Sequence, residues 1–386
     1  MTGSIISPED QKVTFVELFF DLVFVFSVTQ VVGLFHGHLD LVTLGTAILV
    51  FWLIWWGWTQ FTWSLNSADT TQPFVELGVL VATGVAFFMA GAVPAVYGER
   101  SLWFAVSYVI VRAIGLALQY FVAMEIPEMR AALRNWVSLS ALGLLAVLAG
   151  GAIGGTAQYL LWGLAILLDL VAAGVGGQAE GWVIHPAHFA ERHGLFVIIA
   201  LGESLIVAAS GVTEEMWTIP LLSIAGLVVA ITGGLWWSYF PHAMHGLEHA
   251  LASVQGAFRA RLARDSYSLM HFAMIFGIVA FAVAVEEIIA HPDEPLAPEG
   301  RLALALGQLL FVGGMALAYW RATRIALVPR LLLVAFSTVA ILFLEGVSPI
   351  VSLGIALASL LILLGIEQRT FPGVAKPPHG VSLDER

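Results

Sequence analysis

The chain has 386 residues, of which 59% are hydrophobic and only 11% charged, with a mean hydropathy of +0.91. Soluble domains average about 25% charged residues, so this composition excludes a soluble globule and describes an all-α polytopic membrane protein. The net charge of −11 sits mainly in loops and tails, no basic run occurs, and nucleic acid is excluded as a partner.

The chain contains no cysteine, which removes disulfides, cysteine-ligated zinc, iron–sulfur clusters and c-type haem attachment. Lysine occurs only at Lys12 and Lys376, outside the apolar runs, so neither a retinal Schiff base nor a buried catalytic lysine is available. No phosphate loop or catalytic triad stands in the sequence, and no cofactor or resident metal is expected.

Apolar runs of about 18 or more residues mark helices that cross a bilayer. Twelve are expected, near 13–35, 41–63, 74–97, 102–125, 136–153, 158–176, 188–212, 218–241, 267–290, 301–321, 328–345 and 348–366. The start of the chain, with Glu9, Asp10 and Lys12, lacks the basic end of a cleaved signal peptide, so the first run reads as a retained helix. That run carries Glu17 and Asp21, four residues apart and therefore about 40° apart on one helical face. A carboxylate in a membrane helix costs roughly 2.5–3.5 kcal/mol near the bilayer centre. Asp21 therefore needs a partner or a task, whereas Glu17 lies close enough to the start of the run to reach the cytoplasmic interface.

The second run ends Phe51-Trp-Leu-Ile-Trp-Trp-Gly-Trp-Thr-Gln-Phe-Thr-Trp63. Such a stretch reads as an interfacial aromatic belt, with a cage for a cationic or quinone-like ligand as the alternative. The fourth and sixth runs carry Arg112 and Asp169 at mid-membrane depth. The seventh carries Glu191, Arg192 and, eleven residues on, Glu203; His271 and Glu286 mark the two ends of the ninth. Arg192 and Glu203 lie roughly 16 Å apart along one helix and cannot pair with each other. The spacings His185-x-x-His188-x-x-Glu191 and His242-x-x-His245-x-x-x-His249 could place metal ligands, but Pro186 interrupts the first and the second falls in a solvated loop.

Lysine and arginine placement sets the orientation. With the N-terminus inside, twelve of these residues face the cytoplasm and only Arg100 and Arg301 face out, which puts both termini in the cytoplasm. Gly115-Leu-Ala-Leu-Gln-Tyr-Phe121 matches Gly314-Met-Ala-Leu-Ala-Tyr-Trp320, and Trp58-Thr-Gln-Phe61 echoes Trp237-Ser-Tyr-Phe240. The chain is therefore expected to hold two parallel six-helix repeats. Residues 1–12 form a cytoplasmic tail, 13–176 the first half and 177–366 the second, with 242–266 as a cytoplasmic surface loop or helix and 367–386 as a disordered cytoplasmic tail.

Two separated motifs carry a family resemblance. Val16-Glu17-Leu18-Phe19-Phe20-Asp21-Leu22-Val23-Phe24 with Thr29-Gln30, and Glu191-Arg192-His193-Gly194-Leu195-Phe196 followed by Leu201-Gly202-Glu203-Ser204, resemble the bacterial low-temperature-requirement A family. The family commonly has an aromatic residue where His193 stands. The resemblance implies a multi-pass membrane protein tied by name to growth in the cold, without a settled activity. Phe19-Phe20-Asp21 with Thr29 is also faintly similar to the first helix of the endolysosomal potassium channel family, which implies ion permeation.

Transport follows as the leading expectation: protons, cations or a small solute crossing the inner membrane, with Asp21 and Glu203 as carrier sites. Asp169, Glu17, His271 and Glu286 are further candidates, and Arg112 and Arg192 set the charge state of the acids. The partners are the lipid bilayer and small ions or a solute, with homo-oligomerisation left open. The competing structural reading is that Arg112 with Asp169, or Arg192 with Asp21, forms a buried pair that fixes helix packing. A membrane-embedded enzyme or a lipid-adaptation factor is the alternative function, and a sensor or scaffold the third.

Overall fold

A computed structural model describes residues 4–37, 40–176, 181–214 and 217–370. These residues fold as helices without a named strand, eleven of them long and apolar enough to cross a membrane. The first six are α1 (Phe15–Gly33), α2 (Leu41–Ser67), α3 (Pro73–Ala92), α4 (Ser101–Glu125), α5 (Pro127–Ile153) and α6 (Gly155–Gly176). There follow α7 (Pro186–Glu214), α8 (Ile219–Ser238), the short α9 (His245–Ala252) and α10 (Gly256–Leu262), α11 (Met270–Ala290), α12 (Pro298–Thr323), α13 (Val328–Phe343) and α14 (Pro349–Thr370). With 16 residues, α13 falls short of the expected twelfth full span.

The helices begin where the sequence permits. Proline occupies the first turn of α3, α5, α8, α12 and α13, where its missing N–H costs nothing. Asp40 caps α2 by accepting a 2.7 Å bond from the Thr43 N–H, and the Thr218 hydroxyl accepts from the Leu221 N–H at the start of α8. The helices are apolar on all sides, because lipid rather than water meets the outer face and every backbone bond must close within the helix.

Two π-helical turns, Tyr239–Met244 and Ala263–Leu269, join α8 to α9 and α10 to α11. The expected surface loop or helix at 242–266 is mostly helical here. It extends the helices on either side, exposes His245, His249 and Phe258, and buries Leu247, Leu251, Ala260, Leu262 and Ser266. The extended helix Gly256–Ala290 is the most enclosed span, 78% buried in its apolar window against 28% for α6. It meets α12 where backbones approach closely: a Cβ on Gly277 would stand 2.8 Å from the Phe311 nitrogen.

In the first half α1 packs on α3, α3 on α4, α4 on α5 and α5 on α6, while α2 lies against α4. In the second half α7 packs on α11, α11 on α12, α12 on α13 and α13 on α14. The halves meet where α1 and α2 pack against α7 and α11.

Residues 4–12 run across the helix ends instead of hanging free as a tail. The Ser7 hydroxyl donates to the Asn66 carbonyl at 2.8 Å, the Gln11 amide to the Leu65 carbonyl at 2.8 Å, and the Ser4 hydroxyl to the Glu125 carboxylate at 2.6 Å. This strap ties together the end of α2, the end of α4 and the start of α1, all on one face of the bundle. At the other end, residues 367–370 continue α14, and the remainder of the expected tail lies outside the described residues.

Candidate functional site

Where α1 crosses α7, four side chains form a closed cluster. Arg192 donates from Nη1 to Glu17 Oε1 at 2.7 Å and from Nη2 to Asp21 Oδ1 at 2.5 Å. The i, i+4 spacing of the two acids places both on the face of α1 turned toward α7, so one guanidinium spans them. Glu17 also accepts from the Thr14 N–H and hydroxyl, both at 2.9 Å, which closes the first turn of α1. His188, one turn before Arg192, meets Glu17 Oε1 through Nε2 at 3.1 Å.

The histidine tautomer follows from its neighbour. Asn66 Oδ1 accepts from the His185 N–H at 2.7 Å, so its amide nitrogen faces both the His185 carbonyl and His188 Nδ1. His188 Nδ1 is therefore an acceptor, and its Nε2–H donates to Glu17. In that state the cluster holds two carboxylates against one guanidinium. Trp58 donates its indole N–H to Asp21 Oδ1 at 2.7 Å, and its ring lies 5.9 Å from the Arg192 guanidinium. Asp21 Oδ2 and Arg192 Nε have no hydrogen-bond partner among the described residues.

Glu17, Asp21, His188 and Arg192 are all 0–1% exposed. The expectation that Glu17 reaches the interface is corrected: it is fully buried against Thr14, His188 and Arg192. The second-run tryptophans are likewise corrected from interfacial belt to core. Trp52, Trp55, Trp56, Trp58 and Trp63 are all buried, and Trp55 and Trp58 pack against Phe196 with centroids 5.5 and 4.5 Å away.

The second candidate acid lies farther along the same crossing. Glu203 Oε2 accepts from the Thr29 hydroxyl at 2.7 Å, again linking α7 to α1. Asp21 and Thr29 are eight residues apart, about 12 Å along the axis. The buried residues between them, Phe24, Val25 and Val28 on α1 and Phe196, Val197 and Ala200 on α7, are apolar. The polar exceptions are Ser27, which bonds the Val23 carbonyl of its own helix, and His193 next to Arg192. Beyond Glu203 opens a cavity of about 390 Å³ lined by Thr29, His36, Glu203, Ser210 and Glu286. Glu286 pairs there with His36. Two of the acids picked out in the sequence thus share one mouth, on the face opposite the N-terminal strap.

The other candidates lie elsewhere. His271 Nδ1 bonds the Ser266 carbonyl at 3.0 Å and Nε2 meets the Tyr239 hydroxyl at 2.8 Å, beside Tyr267 and His193. His193 takes the aromatic slot, edge-on to Trp58 at 5.1 Å, with Nε2 unpartnered. Arg112 and Asp169 pair within the first half at 3.3 Å, joined by the Tyr108 hydroxyl at 2.7 Å and Ser140 on α5.

Of the motif residues, Phe20, Gly194, Phe196 and Ser204 are buried, Gln30 and Gly202 are half-buried, and Phe19 and Glu191 are exposed. The exposure of Glu191 takes it away from His188, which leaves that spacing without a third ligand. His188, Asn66 and His36 were not singled out as site residues from sequence. Nor was the pair between Arg330 and Glu367, which also bonds the Ser238 carbonyl. Arg330, one of the twelve residues expected to face the cytoplasm, is buried near the start of α13.

A curated protein of Rhizobium meliloti (strain 1021), described as uncharacterized protein RA0937, is 26% identical over 323 residues, covering 79% of this chain and 76% of that one. No solved structure matches the chain, and the fainter likeness to the potassium channel family finds no support. The family model described as bacterial low temperature requirement A protein (LtrA) matches residues 12–365, nearly the whole length. This integral, multi-pass membrane protein therefore belongs to the LtrA family.

Proposed function

We propose that the protein moves protons or small cations across the inner membrane along the α1–α7 crossing. The observation that carries this reading is the charge count of the buried cluster: Glu17 and Asp21 share one arginine, and Asp21 keeps a free carboxylate oxygen. A buried charge without a counter-charge is costly, so a proton or cation at Asp21 completes the site. Glu203, with Thr29, serves as the second station, at the wide cavity. The apolar stretch between the stations acts as the barrier that must rearrange for passage.

In this reading the face with the N-terminal strap is cytoplasmic, as the positive-inside count favours. The repeated packing order of the two halves fits a parallel duplication, with 13–176 and 177–366 as the units. The halves rock against each other at the α1–α7 crossing. No enzymatic reaction is assigned to the site. One observation favours the alternative of a lipid-adaptation factor: a groove of about 510 Å³ lined by Phe35, Leu41, Leu44, Phe276 and Leu302, large and apolar enough for an acyl chain.

Reconstitution in liposomes with pH-sensitive and cation-sensitive dyes tests the reading. Wild type should carry flux, and Asp21→Asn and Glu203→Gln should abolish it. Equal flux in wild type and both variants, or none in wild type, overturns it. A changed lipid profile in cold-grown deletion cells, without flux, favours the alternative.

A further inference from the structure

A second space lies on the strap side, between the first half and Trp182, Arg264 and Ser268 of the second, away from the Arg192 cluster. It is a cavity of about 30 Å³ at the strap-side end of α2, α5 and α6, walled by Trp56, Trp63, Trp136 and Trp182 and by Arg264. Four tryptophans suggest an aromatic cage, but the volume holds no ring. It does hold water: roughly 10–15 Å³ suffices for one molecule, provided that polar partners surround it. Three such partners are present and unused. Thr59 Oγ1, Gln60 Oε1 and Trp136 Nε1 belong to residues that line the cavity, each less than 8% exposed, and none has a hydrogen-bond partner among the described residues.

The polar edge of the cavity adjoins a buried ion pair. Ala172 and Ala173 on its wall stand three and four residues after Asp169, hence on the same face of α6 and one turn nearer the strap side. The Gln60 amide donates to the Arg112 carbonyl at 3.0 Å, and Trp56 reaches the Asp169 carboxylate. At the other end Arg264 donates to the Ala173 carbonyl at 3.1 Å and pairs with Asp265, both of them partly exposed. We propose that this cavity is a water-filled inlet leading from the strap side to the Arg112–Asp169 pair. Waters there satisfy Thr59, Gln60 and Trp136 and give the pair contact with the aqueous phase. The inlet is independent of the transport reading, because it concerns hydration of the Arg112–Asp169 pair and not passage along the α1–α7 crossing.

The natural absence of cysteine makes the test direct. Ala172→Cys and Ala173→Cys place a thiol in the wall, Val171→Cys places one on the outward face of α6, and Ser4→Cys marks the strap side. Vesicles of both orientations are treated with silver ion, a charged thiol reagent small enough to follow water, and with a lipid-soluble maleimide. Folding of each variant is checked by elution as a single species. Ala172→Cys or Ala173→Cys should react with the charged reagent from the side that labels Ser4→Cys, at least several-fold faster than Val171→Cys does. Adding Thr59→Val should slow that reaction several-fold by removing a water ligand. Reaction of both wall thiols only with the maleimide, or a rate indifferent to Thr59→Val, overturns the inlet.

Discussion

Two of the buried arginines have opposite electrostatic balances. Arg112 faces one carboxylate, Asp169, at 3.3 Å, and also donates to Tyr108 and Ser140. Arg192 faces two, at 2.7 and 2.5 Å, with a tryptophan indole drawn in as well. The first arrangement is neutral and lies within one half, where it locks α4 to α6. The second carries one negative charge too many and lies where the halves meet. Buried neutral pairs add little net stability, so the first needs no explanation beyond packing. The second does, because its surplus charge has no structural use. The pair between Arg330 and Glu367, one to one within the second half, falls with the first kind.

The largest effect expected from this contrast is at Arg192. Arg192→Leu leaves two carboxylates facing each other without a cation, and removing one partner of a buried pair costs about 3–5 kcal/mol. Little folded protein should be recovered, as read by elution profile and thermal midpoint. Rescue should require both Glu17→Gln and Asp21→Asn. At the other arginine, Arg112→Leu should be rescued by the single change Asp169→Leu. Rescue of Arg192→Leu by one neutralisation alone would erase the distinction.

A smaller effect separates the acids. Asp21→Asn keeps an acceptor for Trp58 and leaves Arg192 paired with Glu17, so stability should shift by about 1 kcal/mol or less. Asp169→Asn removes the counter-charge of Arg112 and should cost about 3–5 kcal/mol. Thermal midpoints of the two variants in the same detergent check this. Equal losses would mean that Asp21 is as structural as Asp169.

Much of this was legible in the sequence, for identifiable reasons. Four-residue spacing put Glu17 and Asp21 on one face, and the high cost of intramembrane charge pointed to partners for Arg112, Asp169 and Arg192. Both pairs of the competing structural reading are present, Arg112 with Asp169 and Arg192 with Asp21. The burial of Glu17 was not legible, because depth was judged from its place near the start of the run. What encloses it is His188 and Arg192 of α7, a contact between residues distant in the chain that leaves no periodic signal. The tryptophans of α2 were misplaced for a related reason: a helix apolar all round has no stripe to show which side faces protein. Residues 242–266 read as a surface loop or helix, and the sequence carries no sign of the π-helical turns that join this stretch to α8 and α11.

The smallest predicted effect tests whether the strap is what distinguishes the two arginine sites. His185, outside the membrane spans, accommodates Ser7 of the strap at 2.8 Å and borders the Arg192 cluster through Asn66. Burial lowers its pKa below the ordinary 6.5, His188 and Arg259 push the same way, and Glu9 opposes them. The folded protein thus resists a proton that the unfolded chain accepts. The stability this group contributes is complete above 6.5 and declines as pH falls from there through the lower folded value. Between about pH 7.5 and 5.5 the strap should loosen, measured as faster hydrogen exchange of residues 4–12 after correction for intrinsic rates. His185→Gln should flatten that dependence. A loosened strap wets Glu17 and leaves the Arg112–Asp169 pair as it was, since that pair lies in α4 and α6 beyond the reach of residues 4–12. Equal acid sensitivity at both arginines would therefore mean that the strap does not keep the Arg192 cluster dry.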